Sequence, residues 1–174
     1  MTIQVRTGTI RCGYVHIVKP RINNLNKNEE YSMQLIIPKN DPTAKILLNA
    51  IQKVIAEKWG NNPPSPLRLP LRDADAEKKG LDHLVGCYFT NVKSQEKPGI
   101  VDTDGLTHPH PEDCRSGDYF RVTLGCFAYE QPNNGVSFGL NNVQFVKQGD
   151  TLSGRKRAED DFPPIDDTED SMLE

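Results

Sequence analysis

The sequence predicts a mainly β protein, built as a small barrel with one α-helix and followed by a disordered acidic tail. Several short segments rich in β-branched and aromatic residues are separated by Gly, Pro and Asn turns. Only one segment has apolar residues at helical spacing. The charge of the chain also changes sharply near its C-terminus.

Five segments have the character of strands. The first ends at Lys19-Pro20 and the second, which alternates apolar and polar side chains, ends at Pro38. The last two are joined by the turn sequence QPNNG. Between the third and fourth, residues 94–104 predict a hairpin-like excursion that turns at Asp104-Gly105. The predicted strands are residues 9–18, 31–37, 86–93, 119–129 and 136–146.

One helix follows the second strand. Asp41 suits the N-cap, Pro42 the first helical position and Gly60 the C-terminal stop. Its apolar residues fall on one face, which indicates a helix docked on a sheet. They are Ile46, Leu47, Ala50, Ile51, Val54 and Ile55.

These elements favour an OB-fold-like β-barrel in residues 1–150, with the tail in residues 151–174. An OB-fold usually carries its helix between the third and fourth strands, whereas only two clear strands precede Asp41. Either the long first strand bends and acts as two strands of the barrel, or the topology is a variant of the OB-fold.

The net charge of −3 hides two opposite parts. Residues 1–158 hold all 21 Lys and Arg and 16 of the 24 Asp and Glu, for a net charge of +5. Residues 159–174 hold eight acids and no base, for −8. A basic body favours a nucleic-acid partner, and a stretch of like charge with few apolar residues predicts disorder.

Strand periodicity predicts where an unpaired strand would bind, because bases need aromatic rings and phosphates need cations on one face. In residues 119–129 one side is apolar, and the other carries Arg121, Phe127 and Tyr129 with Gly125 between them. Residues 87–93 repeat the mixture with Phe89 and Lys93. The alternative is that these rings pack under loops. Weaker candidates are Tyr14 and Arg11 on the first strand and Arg72 in a loop.

The tail has its own predicted residues. Acidic tails often only confer solubility, but this one could also imitate the phosphate chain and compete with DNA for the basic surface. Once displaced, it could recruit replication proteins of the phage or the host. The tail residues assigned to this role are Glu159, Asp160, Asp161, Phe162, Asp166 and Asp167.

Five motifs in order resemble a bacteriophage family of single-stranded DNA-binding proteins, once catalogued as a domain of unknown function. The resemblance implies an OB-fold, sequence-independent binding of single-stranded DNA and a role in phage replication or recombination. No cofactor and no enzymatic activity are expected, because Walker and dinucleotide-binding glycine sequences and a nucleophilic triad are absent. Without a signal peptide, the protein is expected to stay in the cytoplasm of the infected bacterial host. The motifs are residues 69–73 (LPLRD), 86–91 (GCYFTN), 98–102 (PGIVD), 139–144 (GLNNVQ) and 158–162 (AEDDF).

The layout is also similar to the single-OB-fold binding proteins of T-odd phages, whose acidic tails contact polymerase and helicase-primase. Those tails typically end in an aromatic residue, whereas this chain ends in Met172, Leu173 and Glu174. No apolar run approaches the ~20 residues of a membrane span, and the N-terminus lacks the apolar core of a signal peptide.

Three rival interpretations remain. A metal-dependent nuclease would need the carboxylates of Asp73, Asp75, Asp102 and Asp104 to converge on a metal ion. A zinc site would need His108, His110, Cys114 and a fourth ligand that the sequence does not supply. In the third, the protein acts through its acidic tail alone. The four cysteines form no CxxC pair and are expected to be free thiols, mostly buried in strands.

Overall fold

A computed structural model describes residues 2–25, 27–78, 80–150, 152, 162, 164 and 165. Within these residues the fold has eight strands and one α-helix, with two short 3-10 turns at Asp82–Leu84 and Pro111–Asp113. The elements are β1 (Thr2–Arg6), β2 (Ile10–Ile22), β3 (Glu29–Pro38), α1 (Pro42–Trp59), β4 (Arg72–Asp73), β5 (Cys87–Ser94), β6 (Gly99–Val101), β7 (Tyr119–Tyr129) and β8 (Gly135–Lys147).

Five strands close into a barrel. Antiparallel pairs join β2 to β3 and β3 to β5, and β5 runs parallel to β8. β8 is antiparallel to β7, which returns to β2 through the pairing of Ile10 with Phe120. Closure removes most of the exposed edges that an open sheet would have. The predicted OB-fold-like barrel with one helix is therefore confirmed.

The helix position identifies a variant topology. α1 lies between the second and third barrel strands, β3 and β5, and not between the third and fourth. The long strand β2 also serves twice, since it pairs with β3 along most of its length and with β7 at Ile10 and Arg11. Sequence reasoning missed β1, which adds to the outer edge of β7 from Thr2 to Arg6.

The helix begins and ends where its capping residues predict. Asp41 accepts a hydrogen bond from the Thr43 backbone N–H at 2.8 Å, and Gly60 ends the helix with a positive φ of 61°. Leu47, Ile51 and Val54 are buried, and the helix packs against β7 and β1. Ile46, which was expected on this face, is exposed.

Alternating residues of the barrel strands form the core. This alternation separates an apolar inside from a polar outside, as the strand period of two requires. Fully buried core residues include Ile10, Ile17, Met33, Leu35, Ile37, Val92, Phe120, Val122, Leu124 and Val136. All four cysteines are free; Cys12, Cys87 and Cys126 are buried, whereas Cys114 lies outside the strands and is partly exposed.

The excursion after β5 differs from a simple hairpin. Gly105 has φ 80° and donates to the Asp102 carbonyl at 2.9 Å, so the predicted turn is present. It links Val101 to Thr107, but β6 itself pairs in parallel with β8. Within the described part of the chain, no helix has the length and apolarity that a membrane-spanning helix needs.

Candidate nucleic-acid interface

The outward positions of neighbouring strands form a row across the barrel. Lys93 on β5 faces Gly139 on β8, which faces Gly125 on β7, which in turn faces Gln4 on β1. We call the outward surface around this row the open face. The two strands singled out from the sequence therefore contribute to one surface, with β8 between them.

Phe127 supplies an aromatic ring on the open face. Its side chain is 36% exposed, and it pairs with Thr2 on one side and Ser137 on the other. The ring carbon Cε1 lies 3.6 Å from where a Cβ on Gly139 would be. The ring therefore leans over Gly139, whereas the opposite Gly125 is covered by the side chains of Thr2 and Gln4.

Beyond Lys93, the open face continues onto β3 and β2. A cavity of about 370 Å³ lies there, and the 59% exposed ring of Tyr14 forms part of its wall. The Lys93 ammonium lies 3.5 Å from the Glu30 carboxylate, and its side chain is largely exposed to solvent. The cavity is lined by Tyr14, Arg21, Glu30, Ser32, Met33, Gln34, Asn91, Val92 and Lys93.

A second cavity, of about 730 Å³, lies alongside the row, between β1 and the segment that follows Lys93. Sequence reasoning missed this region because it did not recognise β1, although Ile3 and Val5 alternate with Gln4 and Arg6 as in a half-buried strand. The lining is polar and carries two cations. Its residues are Gln4, Val5, Arg6, Ser94, Glu96, Lys97, Thr123, Leu140, Asn141 and Asn142.

Arg121 and Tyr129 lie on the predicted side of β7, at either end of the open face. Arg121 donates a long hydrogen bond of 3.4 Å to the Gln144 side chain, across the β7–β8 ladder. The Tyr129 ring lies over Gly135, with its hydroxyl 2.5 Å from where a Cβ would be. Both side chains are partly exposed, and their contact with DNA stays a prediction.

Phe89 requires a correction. It does occupy an outward position of β5, but it is only 2% exposed. A loop formed by residues 74–78 and 80–86, here called the covering loop, packs over it. Phe89 joins Ile36, Ala74, Leu84 and Cys87 in a small second core outside the barrel. A ring buried in this way cannot stack on a base, so Phe89 is not part of the interface.

Arg72 and Arg11 also differ from the prediction, because both form contacts with other groups of the protein. The Arg72 guanidinium lies 5.0 Å from the centre of the Phe89 ring and donates to the Glu77 carboxylate at 3.0 Å. Arg11 donates to the backbone carbonyls of Gly117, at 3.2 Å, and Asp150. Both arginines therefore hold loops in place, and the expectation that they contact DNA finds no support in this arrangement.

The carboxylates proposed for a nuclease do not converge. Asp73 and Asp75 bind the Lys39 ammonium at 2.8 and 3.0 Å. A hydrogen bond from Lys39 is the main cause that lowers the pKa of Asp73, and a backbone hydrogen bond from Gly86 is the main cause for Asp75. Asp102 and Asp104 accept backbone hydrogen bonds within their own turn.

The side chains proposed for a zinc site are not arranged as metal ligands either. His108 accepts a hydrogen bond from the His110 backbone and stacks edge-on against Phe145 at 5.3 Å. Burial raises the pKa of Cys114 to about 11, which disfavours the thiolate that zinc requires. Among the residues that the structure describes, no three His, Cys, Asp or Glu side chains are grouped to hold a metal ion.

The start of the tail is attached to the barrel. The Gly149 backbone donates to the buried Asp118 carboxylate at 3.2 Å, and Leu152 packs on the second core around Phe89. A Leu152 methyl lies 2.7 Å from where a Cβ on Gly13 would be, and the Gln34 amide oxygen lies 3.3 Å from the same point. The tail thus starts beside the 370 Å³ cavity, which Gln34 lines.

The acidic residues of the tail fall outside the described residues. This applies to Glu159, Asp160, Asp161, Asp166 and Asp167, whereas Phe162 is described and largely exposed. The predicted domain boundary at residue 150 therefore stays a prediction, as does the disorder of the tail.

Two solved structures share this fold. The single-stranded DNA-binding protein of bacteriophage Enc34, in complex with ssDNA, superposes with a TM-score of 0.75 at 18% identity, covering 85% of this chain and 88% of that one. The single-stranded DNA-binding protein gp2.5 of bacteriophage T7 gives a TM-score of 0.68 at 18% identity, covering 96% and 97%.

Sequence comparison supplies the family. Putative protein p50 of Acyrthosiphon pisum secondary endosymbiont phage 1 is 28% identical over 166 residues, which cover 87% of this chain and 88% of that protein. The model of a family described as "Enterobacter phage Enc34, ssDNA-binding protein" matches residues 3–173. The chain belongs to this family of phage single-stranded DNA-binding proteins.

Proposed function

We infer that the chain binds single-stranded DNA during phage DNA replication. Its family is a family of DNA-binding proteins and is not described as one of enzymes. The observation that carries the inference within this chain is the row from Lys93 through Gly139 and Gly125, with the Phe127 ring leaning over it. An exposed ring on the same surface as a cation can stack on a base while the cation contacts a phosphate.

The open face is the proposed binding surface. Phe127 stacks on a base and Lys93 contacts phosphate, with Tyr14, Arg121 and Tyr129 extending the path on either side. Because stacking and phosphate contacts do not depend on base identity, this surface binds without reading sequence. The path runs across the strands, so several nucleotides contact the barrel at once.

The acidic tail is proposed to compete for this surface. The body carries +5 and residues 159–174 carry −8, so the two parts attract each other. Leu152 begins the tail beside the Gln34 end of the open face, which keeps the local concentration of the tail high. DNA would displace the tail, and the freed tail, including the exposed Phe162, would contact replication proteins in the cytoplasm of the infected host.

Fluorescence anisotropy on labelled oligo-dT tests the function. The full chain and a version ending at residue 158 are titrated at two salt concentrations; the shorter version retains Leu152 and with it the second core. We expect the shorter version to bind more tightly and both affinities to fall as salt rises. If residues 1–158 fold but do not bind oligo-dT at low salt, the function belongs to the tail or is wrong.

A further inference from the structure

Two side-chain amides on the open face form a hydrogen-bonded pair that has no role in the DNA contacts proposed above. The Asn141 side-chain amide on β8 donates to the Gln4 side-chain oxygen on β1 at 2.6 Å, although β7 lies between these strands. Both side chains are exposed. The bridge crosses β7 close to Gly125, since the Gln4 amide nitrogen lies 3.5 Å from where a Cβ on Gly125 would be.

The amide pair lies beside the aromatic ring. Gln4 sits over Gly125, and the edge of the Phe127 ring sits over Gly139, which is opposite Gly125 in the β7–β8 ladder. Directly opposed residues have Cα atoms only about 4.5–5.5 Å apart. On its other side, the amide pair borders the 730 Å³ cavity with its cations Arg6 and Lys97. A ring, two amides and two cations therefore follow one another across the surface.

The bonding of the amides leaves a specific pattern. An amide offers two N–H donors and one oxygen acceptor, and the Asn141–Gln4 bond uses one donor from one partner and one acceptor from the other. Whichever amide donates, this bond leaves an oxygen of one partner and an N–H of the other available for a ligand. A neighbouring donor and acceptor complement the Watson–Crick edge of any base, since each of the four has a donor next to an acceptor there.

We propose that the Gln4–Asn141 pair binds the Watson–Crick edge of a base stacked on Phe127. This inference rests on the proposed function and adds to it a polar contact that only an unpaired base can make. Stacking requires a base whose face is exposed, and the Watson–Crick edge is accessible only where that base is also unpaired. The site tolerates every sequence because all four bases offer the same kind of edge.

A chemically blocked base tests the proposal. The full-length chain is titrated by fluorescence anisotropy with labelled oligo-dT and with the same oligonucleotide carrying N3-methylthymine, which keeps the ring and phosphates but lacks the N3–H donor. We expect the methylated strand to bind on the order of tenfold more weakly, the size of effect that one well-formed base contact gives. Gln4→Met and Asn141→Leu should each reduce this preference to within about twofold.

Asn142→Ala is the matched control. Asn142 is the adjacent exposed asparagine and lines the same cavity, but its side-chain oxygen accepts from the Gly99 backbone at 3.1 Å and it makes no bond to Gln4. It should keep the preference for unmethylated thymine. Thermal melting of each variant confirms that it is folded, and having two independent substitutions keeps the test valid if one of them unfolds.

The possible outcomes separate the two claims. If the wild-type chain binds neither oligonucleotide, the proposed function itself is wrong. If it binds both equally well, DNA binding stands and the base-edge site is refuted. If the preference survives both Gln4→Met and Asn141→Leu, or is lost in Asn142→Ala, the amide pair is not the group that reads the base.

Discussion

Two phenylalanines occupy the same kind of position and end in opposite environments. Phe127 and Phe89 both point outward from a barrel strand, yet Phe127 is 36% exposed and Phe89 is 2% exposed. The difference lies in what crosses above each ring. Phe127 lies between Thr2 and Ser137 with its ring over Gly139, whereas the covering loop and Leu152 lie over Phe89. The outward face of a strand is thus a binding surface only where no loop covers it.

Ion pairs and the small second core around Phe89 fix the covering loop in place. Lys39 ties the loop down through Asp73 and Asp75, and the Asp75 carboxylate accepts from the Gly86 backbone at 3.1 Å. Arg72 closes over Phe89 and bonds to Glu77. Lys39 and Arg72 are therefore engaged in contacts within the protein, so the region around Phe89 stabilises the fold, whereas DNA binding is proposed only for the open face.

Phe89→Ala should produce the largest change, and in stability. Removal of a buried phenylalanine costs about 3–5 kcal/mol from the lost burial and the cavity left behind. Urea unfolding should therefore show a lower free energy of unfolding. Where the variant is still folded, its affinity for oligo-dT should equal that of the wild type. A loss of affinity without a loss of stability would mean that the covering loop opens and Phe89 contacts DNA.

Phe127→Ala should give the converse result. A stacked base contributes about 1–3 kcal/mol, so the affinity for oligo-dT should fall by roughly 5- to 150-fold in anisotropy titrations. Stability should change little because the ring is partly exposed. Phe127→Trp, which retains a flat ring, is the control and should bind nearly as well as the wild type. Equal affinities for the alanine variant and the wild type would remove Phe127 from the interface.

Lys93→Gln should make the affinity for oligo-dT less dependent on salt. One phosphate contact contributes about 0.7 to the slope of log affinity against log salt on a single strand. The slope should become shallower by about that amount. Lys45→Gln, on the exposed side of α1, should leave the slope unchanged. A matching decrease in both variants would indicate a general charge effect and no specific contact.

The smallest expected effect is a pH dependence of the local stability of the covering loop. The pKa values of Asp73 and Asp75 are lowered in the folded protein, so their ionised forms stabilise it above the ordinary value of 3.8, and that stabilisation is lost as pH falls through the lower folded values. Hydrogen exchange should show the covering loop opening in acid before the Phe127 region does. Lys39→Met should increase hydrogen exchange in the covering loop at neutral pH and weaken the dependence of that exchange on acid. If exchange in this variant depends on pH as strongly as in the wild type, the Lys39 contacts are not the cause.

Local patterns were sufficient for most of the fold. The helix ends were predicted from Asp41 and Gly60, because capping depends on only a few neighbouring residues. The inside and outside of β7 followed from its alternation, since the strand period is fixed by backbone geometry. β1 was missed because five residues at a chain end give a weak signal, and its pairing with β7 joins positions more than 110 residues apart.

Patterns in the amino-acid sequence were sufficient to predict the strand faces, the helix, the division of charge and the family to which the motifs point. Which outward residues are open to solvent depends on the packing of the folded chain. Phe89 is covered by Ala74 and Leu84 of the loop that precedes β5 and by Leu152 from beyond β8, and the Gln4 amide meets Asn141, a residue far along the chain, across Gly125. Periodicity along one strand specifies the side on which a residue lies, but whether that side meets solvent depends on how the other segments of the chain pack against it.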